Sequence, residues 1–339
     1  MNPTIKPSAP GQEKLSKASL MTAYGVEAFG SVDALVRRRL EVSEPGPGQV
    51  LVKVAAAGVG PWDAWVRSGA STKVSDAELP VTLGSDISGT IVAVGEGVEN
   101  FRVGEAIFGV TNPNFTGGYA EYAIAQANMI APMPTALSYQ AAASIPVVAC
   151  TAWQMLFEHG RLEQGQRVLV LGGTGNVGAY AVQLANQFRA YVIATGSPQE
   201  EDKLRRLGAR HIIDARTGKG TLQCNQVDLV IDTVGGDLQK RALPLVTQGG
   251  CFVSAVSEPD KGLAASLGIR TRFFIVKVTT AELSLLKAMF DFGQLKPNVG
   301  TILTLSEVRI AHEMLDGIIP RRSGKIVLSV DKRVYATEG

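Results

Sequence analysis

At 339 residues the chain exceeds the size at which one hydrophobic core keeps growing, which predicts two domains. Its 33 basic and 31 acidic side chains leave a formal charge of only +2, so neither a nucleic-acid-binding stripe nor a polybasic membrane patch is indicated and a small-molecule substrate is expected. The three cysteines, Cys150, Cys224 and Cys251, are scattered through apolar runs and read as free thiols of a reducing cytoplasm, not as a disulfide framework.

The first twenty residues, rich in Pro, Ser, Lys and Gln, lack the apolar stretch of a secretory signal and are expected to be a disordered leader. No apolar run reaches the ~18 residues of a membrane span. QVLVKVAAAGV (Gln49 to Val59), entered from the turn EPGPG, predicts a strand, and short β-like runs follow at Thr90 to Val94, Val103 to Val110 and Tyr119 to Ala125. A helical stretch opens after Leu137 with SYQAAAS, resumes past Pro146 and continues to about His159, which places the hinge there.

From Arg167 strand-like and helix-like segments alternate: RVLVLG, NVGAYAVQLANQF, AYVIAT, PQEEDKLRRLG, HIID, VDLVID, DLQKRALPLV, GCFVSAV and RFFIVKV. Repeated βα units predict an α/β fold with a doubly wound parallel sheet. The tail holds two amphipathic helices, AELSLLKAMFDFG and SEVRIAHEMLDG, and a closing strand, KIVLSV, that are expected to return to the β-rich domain. The expected division is therefore 21–145 with 282–335 against 146–281.

The most informative motif is Gly173-Thr174-Gly175-Asn176-Val177-Gly178, preceded by the strand RVLVL and followed by a helix. In that context Gly173 is expected to permit the tight turn, Gly175 to let main-chain amides approach a pyrophosphate, and Gly178 to let the helix pack on the strand. This predicts a Rossmann dinucleotide site. The following strand ends in Thr195-Gly196-Ser197, without the acid that commonly binds the ribose hydroxyls of NAD. That absence, with Ser197 as donor and Lys203, Arg205, Arg206 or Arg216 as cationic partners, predicts a preference for NADP(H).

Together with AAAGVGPWDAWVRSG, LPVTLGSDISGTIVAVGEGVENFRVGE, GGYAEY, TAWQMLF, VIDTVGG and GKIVL, this motif resembles the zinc-free quinone oxidoreductase (zeta-crystallin-like) branch of the medium-chain dehydrogenase/reductase superfamily, from Met21 to about Val330. The resemblance implies a GroES-like β-rich domain beside the Rossmann domain. It implies a nicotinamide pocket between them, lined by Gly60 to Asp63, Thr151, Val234, Gly235, Ala255, Val256, Ser257, Phe274 and Ile275, with Lys325 of GKIVL also at the cofactor.

Zinc-dependent members of that superfamily hold catalytic metal through a Cys near the position of Gly60 and Pro61 and the His of a Gly-His-Glu triplet, which here reads Gly84-Ser85-Asp86. Between Gly84 and Gly118 there is no Cys for a structural zinc lobe, and His159, His211 and His312 share no ligand spacing, so no metal is expected.

The resemblance further implies hydride transfer to a quinone or related conjugated carbonyl. Asp63, Tyr119, Ser85 and Asp86 are the candidate proton donors, though both carboxylates can equally be turn residues bonded to backbone amides. Trp62, Trp65 and Phe115 can form an aromatic wall for a flat acceptor or serve as packing residues. Three departures qualify the match. Gly60 replaces the Asn that related quinone reductases place there, Ala70-Ser71 stands where enoyl-thioester reductases have a Tyr, and Glu200 and Ala215 stand near the positions where bacterial relatives place Lys and Tyr around the 2′-phosphate. Alternatives are an alkenal or enoyl-thioester double-bond reductase, and a non-catalytic dinucleotide-binding protein. A homodimer through the apolar segment RFFIVKV, an otherwise exposed sheet edge, is expected.

Overall fold

The computed structural model of the protein describes residues 19–214 and 224–330. The expected leader therefore lies, but for its last two residues, outside the described residues, as does Arg216. In chain order the elements are β1 (Leu20–Val26), β2 (Leu35–Glu41), β3 (Gln49–Val59), α1 (Pro61–Ser68), β4 (Val81–Thr82), β5 (Asp86–Val94), β6 (Ala106–Val110), β7 (Tyr122–Gln126), β8 (Ile130–Pro132), α2 (Tyr139–Ala143) and α3 (Pro146–Trp153). There follow β9 (Arg167–Leu171), α4 (Asn176–Gln187), β10 (Tyr191–Thr195), α5 (Glu201–Leu207), β11 (His211–Ile213), β12 (Val227–Asp232), α6 (Gly236–Ala242), β13 (Val246–Ser254), α7 (Lys261–Ser266), β14 (Arg270–Phe273), α8 (Thr280–Asp291), β15 (Val299–Thr304), α9 (Val308–Leu315) and β16 (Lys325–Ser329).

The second half builds a six-stranded parallel sheet in the order β11-β10-β9-β12-β13-β14. Counted within that sheet the order is 3-2-1-4-5-6, the doubly wound arrangement whose crevice opens at the carboxyl ends of the strands. The apolar run of β9 is buried nearly throughout because both faces of the sheet are covered, one by the cluster that includes α3, α4 and α8, the other by α6 and α7.

The first half is a β-rich domain around a mostly antiparallel sheet, β15-β16-β3-β5-β6-β8, with β7 also on β3. The tail enters it: β16 pairs antiparallel with β3, and β15 joins β16 in parallel. A hairpin of β1 and β2 adds a small second sheet that the sequence reading did not identify; its second strand, LVRRRLE, exposes the arginines at alternate positions.

Two expectations change in detail. The helical stretch to His159 is three pieces, α2, α3 and a wide turn over Gln154–His159 that closes with Gly160 N–H donating to the carbonyl of Met155. RFFIVKV is not one strand: β14 ends at Phe273 and carries exposed Arg270 and Arg272, while Phe274 onward is irregular.

Candidate functional site

The glycine turn joins β9 to α4 at the open end of the parallel sheet. Gly172, one residue before the motif, supplies the left-handed backbone with φ 75°, so the tight turn belongs to it and not to Gly173. Gly173 is needed for a different reason, since a Cβ there would lie 2.8 Å from both Ala194 and Leu204. At Gly178 a Cβ would stand 2.0 Å from the Gly172 carbonyl oxygen, the close helix approach expected of that position. At Gly175, exposed as the N-cap of α4, a Cβ would stand 3.2 Å from the Gly172 carbonyl oxygen, a far milder contact than at Gly178.

Thr195 ties the turn to β10, its hydroxyl accepting from Gly172 N at 2.8 Å and its carbonyl accepting from Gly173 N at 2.9 Å. A hollow of about 290 Å³ opens there, lined by Thr174, Gly175, Asn176 and Glu200 on one side and by Arg321, Arg322, Ser323 and Gly324 from the loop before β16 on the other. Main-chain amides at a twelve-residue helix N-terminus with arginines opposite fit a diphosphate. Val177 packs into the core behind the turn.

At the ends of β12 and β13 lie the turns expected to border the nicotinamide. Asp232, which the sequence reading passed over although it stands in VIDTVGG, organises both. Its Oδ1 accepts from Val234 N at 3.0 Å and Gly235 N at 2.8 Å, and its Oδ2 accepts from Gln239 Nε2 and Ser254 Oγ, each at 2.8 Å. Ser254 Oγ in turn accepts from the amides of Val256 and Ser257. Val234, Val256 and Ile275 expose apolar side chains around this crevice, the Phe274 ring packs tilted against His159 with centroids 4.3 Å apart, and Ala255 is half-buried. Thr151 is buried and donates to its own helix at Val147.

Facing this in the β-rich domain, α1 starts at Gly60 with Pro61 in its first position. The residues named from the sequence converge behind Trp62. Asp63 Oδ2 accepts from Gly60 N and from the Tyr119 hydroxyl, both at 2.8 Å, while its Oδ1 is buried with no partner. Burial drives the Asp63 carboxyl up to about 7, against the Gly60 amide, nearby Lys325 and Tyr119. Burial, with the Asp63 carboxylate second, also pushes the Tyr119 phenol well up.

Asp86 Oδ2 accepts from Lys325 Nζ at 2.8 Å and its Oδ1 from Val147 N at 3.1 Å. Burial raises the Asp86 carboxyl and Lys325 opposes it. Lys325, assigned to the cofactor from the sequence, is instead 1% exposed and lies with Nζ 4.1 Å from the centre of the Trp62 ring. The Trp62 indole donates from Nε1 to Ser85 Oγ at 3.0 Å. Asp63, Ser85, Asp86 and Tyr119 expose nothing to the cleft.

Of the proposed aromatic wall, Trp62 and Phe115 meet at 6.5 Å, whereas Trp65 stands apart, 52% exposed. A Cβ on Gly60 would fall 2.4 Å from the Trp62 ring. The indole thus fills the space between the two positions, Gly60 and Ser85, where the resemblance puts metal ligands. Neither position offers a donor suited to zinc, and among the described residues no three His, Cys, Asp or Glu side chains gather to hold a metal.

Glu200, three residues past Ser197, returns to the end of β10, its Oε1 accepting from Thr174 Oγ1 at 2.6 Å and its Oε2 from Ser197 N and Oγ at 3.0 and 2.8 Å. Burial raises this carboxyl, but the Thr174 and Ser197 bonds prevail and hold it below the usual range, hence ionised. Ser197 is thereby occupied. Lys203 Nζ donates to Asn298 and to Ser323, which lines the same hollow, and its charge favours the Glu200 carboxylate; Arg205 pairs with Glu201, and Arg206 is exposed.

Residues 46–135 match the alcohol dehydrogenase GroES-like domain family and residues 207–328 the zinc-binding dehydrogenase family. Among curated proteins, the chain is 30% identical over 361 residues to the mitochondrial NAD(P)H oxidoreductase RTN4IP1 of Danio rerio, covering 93% of this chain and 92% of that one. It is 31% identical over 326 residues to a quinone oxidoreductase of Lama guanicoe, covering 91% and 97%. The quinone oxidoreductase structure from Coxiella burnetii superposes with TM-score 0.83 at 31% identity over 92% of this chain and 100% of that one. With that fold, that glycine turn and these relatives, the chain belongs to the quinone oxidoreductase branch of the medium-chain dehydrogenase/reductase superfamily and is an NAD(P)H-dependent oxidoreductase.

Proposed function

We propose that this oxidoreductase passes hydride to a quinone or a closely related conjugated carbonyl, and does so without zinc. The observation that carries this reading is the Trp62 indole, which fills the space between Gly60 and Ser85 and presents a flat apolar ring, backed by Lys325, at the position where related enzymes would place a Lewis acid. When bound, the nicotinamide ring supplies the hydride.

The chain's own residues position and exclude water. Asp232 shapes the turns bearing Val234, Gly235, Val256 and Ser257, and the exposed apolar side chains there give the nicotinamide and acceptor a dry surface. The four candidate proton donors are fully buried, so none of them is open to the acceptor. A quinone suits that arrangement because its reduced oxygens are stabilised by conjugation and take protons from solvent, whereas an enoyl thioester needs a donor placed at its α-carbon.

The three free thiols fit a reducing compartment, the cytoplasm or, as for the mitochondrial relative of Danio rerio, the mitochondrion. The test is a side-by-side measurement of nicotinamide oxidation with 1,2-naphthoquinone, an alkenal and an enoyl thioester, on protein first treated with a zinc chelator. The quinone should give the highest kcat/KM and the chelator should leave it unchanged. A preference for the thioester, or loss of rate with chelator that zinc restores, would overturn the reading.

A further inference from the structure

We infer that Phe115 and Lys73 form a clasp that fixes the Trp62 indole and thereby selects the acceptor, admitting compact one- and two-ring quinones and turning away wider fused systems. The inference rests on the quinone reading proposed above and deepens it. It begins with a backbone conformation that bulky side chains rarely adopt. Phe115 stands at φ 59°, in the left-handed region, and its large side chain is only 7% exposed. Such a conformation persists only where the surroundings over-determine it.

Here they do. The Asn112 carbonyl accepts from Phe115 N at 3.1 Å and Asn112 Oδ1 from Asn114 N at 2.9 Å, while the Thr116 carbonyl accepts from Thr111 Oγ1 and Asn112 Nδ2, each at 2.7 Å. The loop is also tied to the segment that carries Ser85: Thr111 N donates to the Ser85 carbonyl at 3.1 Å and Gly118 N to the Gly84 carbonyl at 2.7 Å. Lys73 covers the ring, its Nζ donating to the Pro113 carbonyl at 2.6 Å and lying 4.9 Å from the centre of Phe115.

Phe115 in turn leans on the indole, with centroids 6.5 Å apart and planes tilted by 55°. Trp62 is thus held by four neighbours: Phe115, Lys325 with Nζ 4.1 Å from its ring centre, Ser85 accepting from Nε1 at 3.0 Å, and Gly60, whose missing Cβ leaves room for the ring. Turning the indole aside to admit a wider acceptor would give up the Ser85 hydrogen bond and the Lys325 contact and drive Phe115 against a loop already fastened at both ends. Width is therefore discriminated by the space the indole keeps filled. Phe115 and Lys73 act through Trp62 and are positioning residues.

Selection is read on the full chain, with NADH and with NADPH, as the ratio of kcat/KM for 1,2-naphthoquinone to that for phenanthrenequinone. W62A should lower this ratio on the order of tenfold, the gain for the wider quinone entering through its KM and not its kcat. F115A should lower it in the same sense and K73M less, while F115Y, which keeps the ring, should restore the wild-type ratio. The clasp is read without turnover. The chain has three tryptophans, so Trp62 is the sole emitter in W65F/W153F. Adding F115A to that background should make its emission more open to acrylamide quenching, and F115Y should return it to the parent. A ratio unchanged in W62A, or in F115A should W62A not fold, would overturn the selection and leave the quinone reading intact. Equal quenching with and without F115A would overturn the clasp. Should the wild type reduce no quinone, the quinone reading and the selection built on it both fall, and quenching still decides the clasp.

Discussion

Asp63 and His312 sit on either side of Tyr119, and burial acts on them in opposite senses. Tyr119 donates to Asp63 and meets the His312 ring edge-on at 6.0 Å; His312 Nδ1 accepts from Arg67 Nη1 at 3.1 Å, and Arg67 is held in turn by Asp316 at 2.8 Å. The Asp63 carboxyl is driven up to about 7, so the stability it contributes is complete below its unfolded value near 4 and is lost as pH rises to about 7. The His312 imidazole is driven down to about 3 by burial and then by Arg67, so its contribution is complete above its unfolded value near 6.5 and is lost as pH falls toward 3. Thermal unfolding from pH 4 to 8 checks both. D63N should gain on the wild type by a few kcal/mol as pH is raised from 4 to 7, and H312N, whose amide oxygen can still accept from Arg67, should gain as pH is lowered from 6.5. Curves parallel to the wild type would show that neither group titrates as its surroundings require. None of this was legible in the sequence, where Asp63 was one acid among several and His312 an unassigned imidazole.

At the scale of the element, the β9-turn-α4 unit separates two roles that one motif compresses. The apolar run, the glycines and the helical period after them identified the unit without any structure, because each is a short-range signal. The division of labour needed packing: a Cβ on Gly178 would stand 2.0 Å from the Gly172 carbonyl oxygen, one on exposed Gly175 3.2 Å from it, a contact relieved by a shift of a few tenths of an ångström. Gly175→Val should therefore leave the unfolding midpoint nearly unchanged and abolish nucleotide binding, whereas Gly178→Val should displace α4 and cost several kcal/mol of stability. Calorimetry of both variants, by unfolding and by NADH titration, distinguishes them; retained affinity in the Gly175 variant would remove the turn from the binding site. β14 teaches a related point. RFFIVKV reads as one apolar strand, yet pairing with β13 stops at Phe273, because a strand's extent depends on the length of the neighbour that hydrogen-bonds to it.

For the whole molecule, β14 is an edge of the parallel sheet with no further strand on it among the described residues, and we propose that a second copy pairs there to form a homodimer. Sedimentation equilibrium at micromolar concentration should give twice the chain mass; a monomer would refute the pairing and leave exposed Arg270 and Arg272 as the device that keeps the edge single.

The sequence by itself determined the two-domain α/β class, the dinucleotide turn and the family, since periodicity, glycine spacing and motif order are local properties that survive without coordinates. Only the tertiary structure decided what fills the metal positions, where Lys325 goes and what holds the Glu200 carboxylate. Those outcomes depend on partners far apart in the chain, Lys325 with Asp86 across 239 residues, or on a side chain folding back, Glu200 onto Thr174, and no local pattern encodes such meetings. They are set by which buried polar groups must find each other once water is excluded.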